Sequence, residues 1–94
     1  MEKPVVLVTG SASGIGAGIA KTLNSRGWEV VINDLDVKKT EKIAEKIGCL
    51  AVSGDVRSEC KNIVDTVIDR YGRLDGLVNN AGIVRKEKLT GMTE

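Results

Sequence analysis

Glycines stand at positions 10, 14 and 16, within Thr9-Gly10-Ser11-Ala12-Ser13-Gly14-Ile15-Gly16 and directly behind the apolar run Val5 to Val8. Where a strand turns into a helix beginning near Ile15, that spacing leaves backbone N–H groups facing an anion. The three glycines have separate tasks. Gly10 permits the tight turn off the strand, Gly14 withholds a Cβ that would hold a pyrophosphate away from the backbone, and Gly16 lets the helix pack close to the sheet. The chemistry indicated is the binding of a dinucleotide. Taken alone the turn leaves another reading open, because glycine-rich strand-to-helix turns also serve packing. A nucleoside-triphosphate loop is excluded: Gly16 is followed by Ala17 and Gly18, not by Lys and a hydroxyl residue.

A second group agrees with the first. Asp34 follows Gly14 by 20 positions and closes a second apolar run, Val30-Val31-Ile32. A carboxylate there can accept both hydroxyls of an adenosine ribose and repels a 2′-phosphate, which favours NAD over NADP. No Lys or Arg lies in the glycine turn or directly after Asp34, and Lys38 and Lys39 read as solvated residues of a helix. The competing reading of Asp34 is an ordinary turn acid, since Asp36 is itself a good N-cap for the following helix.

Thr9-Gly10-x-x-x-Gly14-x-Gly16, Asp34, Asp55-Val56 and Asn79-Asn80-Ala81-Gly82 follow in order and span nearly the whole chain. In these motifs the chain resembles the N-terminal half of a short-chain dehydrogenase/reductase. The resemblance implies that Asp55 and Val56 border the adenine, with the Asp55 carboxylate accepting from the exocyclic amine. It implies that Asn80, Ala81 and Gly82 line the cofactor, while Asn79 mainly braces the sheet against the Thr9 turn. Ser11 and Ser13 would supply turn hydrogen bonds and phosphate contacts, and Ile15 and Leu35 would complete the cofactor-binding set. Read without the resemblance, Gly54-Asp55 and Asn80-Ala81-Gly82 are also respectable strand terminators.

The family's proton-transfer machinery is a Tyr, a Lys four residues later and a Ser upstream. Here the one Tyr, Tyr71, is followed four residues later by Asp75, and it ends the stripe Ile63, Val64, Val67, Ile68 of a predicted helix. It reads as a packing residue. The family's active-site Asn would fall beyond Glu94, and the chain has no His. No catalytic residue and no metal ligand set is assigned.

These residues need a scaffold, and the hydrophobic pattern supplies one. Strands are predicted at Val5 to Thr9, Glu29 to Asp34, Leu50 to Ser53 and Gly76 to Asn79. Helices are predicted at Ile15 to Arg26, Val37 to Ile47 and Ser58 to Tyr71. The first helix carries Ile15, Ile19, Ala20 and Leu23 on one face; the second carries Thr40, Ile43, Ala44 and Ile47. The strands are apolar throughout, as expected when helices cover both faces. The alternation gives an α/β, Rossmann-like three-layer half-domain with parallel sheet order 3-2-1-4, and a switch point between strands 1 and 4.

The 94 residues suit one dinucleotide-binding half-domain over 1–94, able to bury about two-thirds of its unfolded surface. With 14 basic and 13 acidic residues the net charge is +1, which supplies no attraction for nucleic acid or an anionic membrane. One Trp, one Tyr and no Phe leave no stacking platform for single strands. The apolar runs are strand-sized and Met1-Glu2-Lys3-Pro4 leads straight into the first strand, so a cytoplasmic protein is expected, with Cys49 and Cys60 as free thiols. Residues 84–94 read as a loop or a truncated helix start. Strand 4 would then be an exposed edge, to be covered by a homo-oligomer or by a missing C-terminal half. These residues by themselves are expected to be inactive as a dehydrogenase, and two other readings stay open: a non-catalytic NAD-binding module, and a structural remnant that self-assembles through strand 4.

Overall fold

The computed structural model describes residues 3–12 and 14–80. Four strands, β1 (Val5–Thr9), β2 (Glu29–Asn33), β3 (Leu50–Ala51) and β4 (Gly76–Asn79), alternate with helices α1 (Gly14–Ser25), α2 (Val37–Ile47) and α3 (Val56–Tyr71). All pairings are parallel and the order is β3-β2-β1-β4. The register puts Leu7 between Val31 and Leu77, and Val8 between Ile32 and Val78.

Because successive side chains alternate between the faces of a sheet, the unbroken β-branched runs feed two cores. Val6, Val8, Val30 and Ile32 meet Ala20 of α1 and Ala44 of α2 on one face. On the other, Val5, Leu7 and Val31 meet Ile63 and Val67 of α3. The predicted three-layer architecture is the one observed. Tyr71 packs against the second core, as expected of it.

The boundaries differ where side chains replace backbone pairing. Strand β3 is two residues long instead of four. Val52 still donates its N–H to the Ile32 carbonyl (2.9 Å), but the Asn33 side chain then takes the Val52 and Gly54 carbonyls at 2.8 and 3.2 Å. Helix α3 starts at Val56 instead of Ser58, because Asp55 is its N-cap and accepts the Arg57 N–H. The helix is not regular throughout: Glu59 leaves helical geometry at φ −119° and ψ 20°, while its carboxylate accepts the Asp55 N–H. Asp36 caps α2 by accepting the Lys39 N–H at 3.0 Å.

Two residues of the predicted helical stripes are left exposed, Ile15 of α1 and Ile68 of α3, the latter at 39 %. Ile15 is 72 % exposed, since it lies in the first turn of α1, beyond the sheet that Ala20 covers. Leu77, on the α3 side of β4, is 56 % exposed, as expected of an edge strand; β4, like β3, has one hydrogen-bonded neighbour among the described residues. The expectation for residues 84–94 lies outside the described residues.

At the opposite end of the strands from the glycine turn, Asp75 joins β4 to β1. Its carboxylate accepts the Val5 N–H at 2.8 Å, and its own N–H donates to the Val5 carbonyl. The Arg73 guanidinium also engages that carboxylate, through two contacts of 2.8 and 2.9 Å. First Arg73 and then the Val5 amide hold the Asp75 carboxyl below its ordinary value. A folded-state value below the unfolded one stabilises above about pH 4, and that contribution is lost as pH falls through the folded value. In urea titrations the unfolding midpoint should therefore drop on acidification below about pH 4, with a shallower drop in Asp75→Asn. Identical acid slopes for the two proteins would exclude this role.

Candidate functional site

The C-terminal ends of β1, β2 and β4 converge with the turn that follows β1. Gly10 holds φ +64° and Gly14 φ +58°, in the left-handed region that other residues rarely adopt. Space around Gly14 is open: a Cβ there would meet nothing within 4 Å. At Gly16 the reverse holds. A Cβ would collide with the Gly10 carbonyl and stand 2.7 Å from the Asn80 side-chain nitrogen. Asn80 itself is buried and donates to the Gly10 carbonyl at 2.9 Å, so β4, the turn and α1 are locked together.

Ser11 is wholly buried and ties the turn to the neighbouring strands. Its hydroxyl lies 2.8 Å from the Val8 carbonyl and 3.1 Å from that of Asn33, and it accepts the Asn33 N–H at 2.9 Å. Thr9 donates its hydroxyl to the Asn79 side-chain oxygen at 3.1 Å, the brace expected of Asn79. The first turn of α1 holds no acidic residue, so its N-terminus carries no competing negative charge.

Asp34 is held by two backbone amides. Oδ2 accepts the Ala12 N–H at 3.0 Å and Oδ1 accepts the Leu35 N–H at 2.7 Å. The carboxylate is thereby fixed against the glycine turn, and an ionised carboxylate has about four acceptor positions, leaving capacity for further donors. Its backbone carbonyl accepts the Gly54 N–H at 3.1 Å, which brings the loop after β3 alongside.

A cavity of about 360 Å3 opens between these loops. Of the expected site residues, Gly10, Asp34, Leu35, Asp55 and Val56 line it. Ser11, Gly14, Ile15, Gly16 and Asn80 are not on its wall. Ser11, Gly16 and Asn80 act on the turn from behind, whereas Gly14 and Ile15 stand at the helix start. Ser13, Ala81 and Gly82 lie outside the described residues. Arg57 and Cys60 of α3 also line the cavity, and neither was anticipated. The signal for both was the Asp55 cap, which starts α3 early enough to turn its first residues toward Asp34. Tyr71 is elsewhere: its hydroxyl meets Glu29 at the start of β2 (3.2 Å), at the far end of the sheet.

Pockets for small ligands run from about 300 to 1,000 Å3. This cavity falls in that range, with a fixed carboxylate on its wall and an unobstructed glycine at the helix start beside it. Fold and site together define a Rossmann-like α/β protein with its site at the topological switch point. The family model for short chain dehydrogenase matches residues 4–94, and the chain belongs to that family. It is 36 % identical over 101 residues to the 3-oxoacyl-[acyl-carrier-protein] reductase FabG of Thermotoga maritima, covering 100 % of this chain and 41 % of that protein.

Two solved structures agree with it in fold. An actinorhodin polyketide ketoreductase variant with NADPH has a TM-score of 0.79 and 33 % identity, over 83 % of this chain and 33 % of that one. A 3-ketoacyl-(acyl-carrier-protein) reductase from Brucella melitensis complexed with NADH has a TM-score of 0.75 and 35 % identity, over 81 % and 33 %. The chain thus spans about a third to two-fifths of the length of these relatives. No helix among the described residues is long and apolar enough to cross a membrane.

Gly16 and Gly18 separate steric need from helix propensity. Gly16→Ala should destabilise by about 1–3 kcal/mol, because the new methyl meets backbone. Gly18 lies on the same helix with nothing within 4 Å of an added Cβ, so Gly18→Ala should stabilise by about 0.5–1 kcal/mol. Urea unfolding of the two variants checks this, and equal shifts would show that the α1 contact with the turn carries no strain.

Proposed function

We propose that this chain is the nicotinamide-dinucleotide-binding portion of a short chain dehydrogenase, and that it prefers NAD to NADP. The observation carrying this reading is the Asp34 carboxylate, fixed by the Ala12 and Leu35 amides on the wall of the cavity. A ribose with free hydroxyls can donate to it, whereas a 2′-phosphate would bring negative charge against a group that cannot turn away. Asp55 and Val56 take the adenine end, and the open backbone at Gly14 takes the pyrophosphate. Gly10, Gly16, Ser11 and Asn80 keep that backbone in place, with Ile15 at the helix start. Ser13, Ala81 and Gly82 belong to the same proposed set.

When bound, the cofactor supplies hydride chemistry. The described residues of this chain would hold its adenosine side. Reduction of a carbonyl or oxidation of an alcohol is the activity proposed for a whole protein that includes such a portion. The exposed Leu77 and the single-sided pairing of β4 among the described residues favour assembly with a second copy or a complementary polypeptide.

Calorimetric titration of the purified chain with NADH and NADPH tests the cofactor reading. NADH should saturate the chain, with NADPH weaker, and Asp34→Asn should narrow the gap by roughly tenfold through loss of one charge. Absence of saturation by either cofactor at millimolar concentration would refute it. Sedimentation of the same sample should show a species larger than a monomer, and a monodisperse monomer would count against assembly through β4.

A further inference from the structure

The cavity wall carries one cation among its described residues, and it comes from neither the glycine turn nor the segment after Asp34. Arg57 is the second residue of α3 and faces the same space as Asp34, Leu35 and Val56. Its side chain is 72 % exposed, yet it is tethered: the guanidinium Nε lies 3.4 Å from Asp55 Oδ1. That oxygen also accepts the backbone N–H of Arg57 at 2.9 Å. One carboxylate oxygen therefore caps the helix and anchors the head group of the residue two positions on.

A guanidinium is planar, permanently charged and weakly hydrated, so its face packs well on an aromatic surface. Leu35 lines the same cavity and is 64 % exposed. A flat heterocycle seated in that cavity has apolar surface to set against the Leu35 side chain and a π-face to offer the cation. The purine is the part of a dinucleotide that has this shape.

We infer that Arg57 is a positioning residue for the adenine end of the cofactor, its Asp55-anchored guanidinium forming the outer wall against which the purine packs. This inference rests on the nucleotide-binding reading above. The two carboxylates on the wall, Asp34 and Asp55, would otherwise leave the cavity with excess negative charge facing an anionic ligand. Arg57 offsets that excess at the adenine end, whereas Asp34 acts at the ribose. A lysine has the charge without the plane, which separates stacking from simple attraction.

The test is calorimetric titration of the full chain, Arg57→Ala and Arg57→Lys with NADH and with adenosine, which has no phosphate. Arg57→Ala should weaken both ligands by about 2–30-fold, the range that a cation on an aromatic face gives. Arg57→Lys should recover only part of the loss, and the adenosine effect should persist at raised salt. An unchanged urea midpoint in both variants serves as the fold control, since the side chain is exposed. Equal adenosine affinity in wild type and Arg57→Ala, with NADH still saturating, would overturn the inference and leave the nucleotide site standing. Full recovery of adenosine binding by Arg57→Lys would overturn it in favour of a point charge. Failure of wild-type chain to saturate with either ligand would overturn the nucleotide site and this inference together.

Discussion

The contact between Gly16 and the Gly10 carbonyl is the constraint on which the rest of the arrangement depends. A strand, a turn and a helix can approach that closely only where no Cβ intervenes, and here a methyl at position 16 would meet both the carbonyl and the Asn80 amide. The same carbonyl accepts the Asn80 hydrogen bond, so the end of β4 is held to the turn after β1. The sheet ends and the helix start therefore form one rigid rim. A site for a charged, extended ligand needs such a rim, because backbone donors that could relax would cost orientation each time the ligand bound.

Around this rim polar side chains divide into those that build and those that remain available. Ser11, Asn33 and Thr9 are buried and spend their hydrogen bonds on strand carbonyls or neighbouring side chains. Their contribution is to keep the turn and the loop after β3 in register with β2. Asp34 belongs to both groups: two amides fix it in position, and its charge faces the cavity. Buried polar groups of this kind are satisfied among the described residues, where no buried side-chain nitrogen or oxygen lacks a partner. An unpaired one would cost about 1–3 kcal/mol, so this satisfaction is a condition for having so polar a rim under an apolar sheet.

Much of this was readable from residue order. Continuous runs of β-branched residues separated by amphipathic helices admit few topologies, and the parallel order β3-β2-β1-β4 is among those few. The glycine spacing and the acid after β2 likewise locate the switch point without coordinates. Contacts made across the fold were less accessible. The bond from Ala12 to Asp34 joins residues 22 apart and depends on how the turn sits beside β2. Ile15 belongs to the helical stripe by periodicity, but helix α1 begins beyond the sheet edge and leaves it uncovered. A helix beginning at Ser58 would leave Arg57 in a loop, whereas the Asp55 cap puts it on α3 beside the cavity.

The most direct test of a nucleotide site at the strand ends is residue-by-residue mapping of backbone amide chemical shifts as NADH is added. The amides of Ala12 and Leu35, which hold the Asp34 carboxylate, should move in a saturable way together with those of Val56 and Arg57. Amides at the other end of the sheet, from Tyr71 to Asp75 and at Glu29, should stay in place. Shifts concentrated at that far end, or a spectrum that NADH leaves unchanged, would contradict a nucleotide site built on the Gly10 to Gly16 turn.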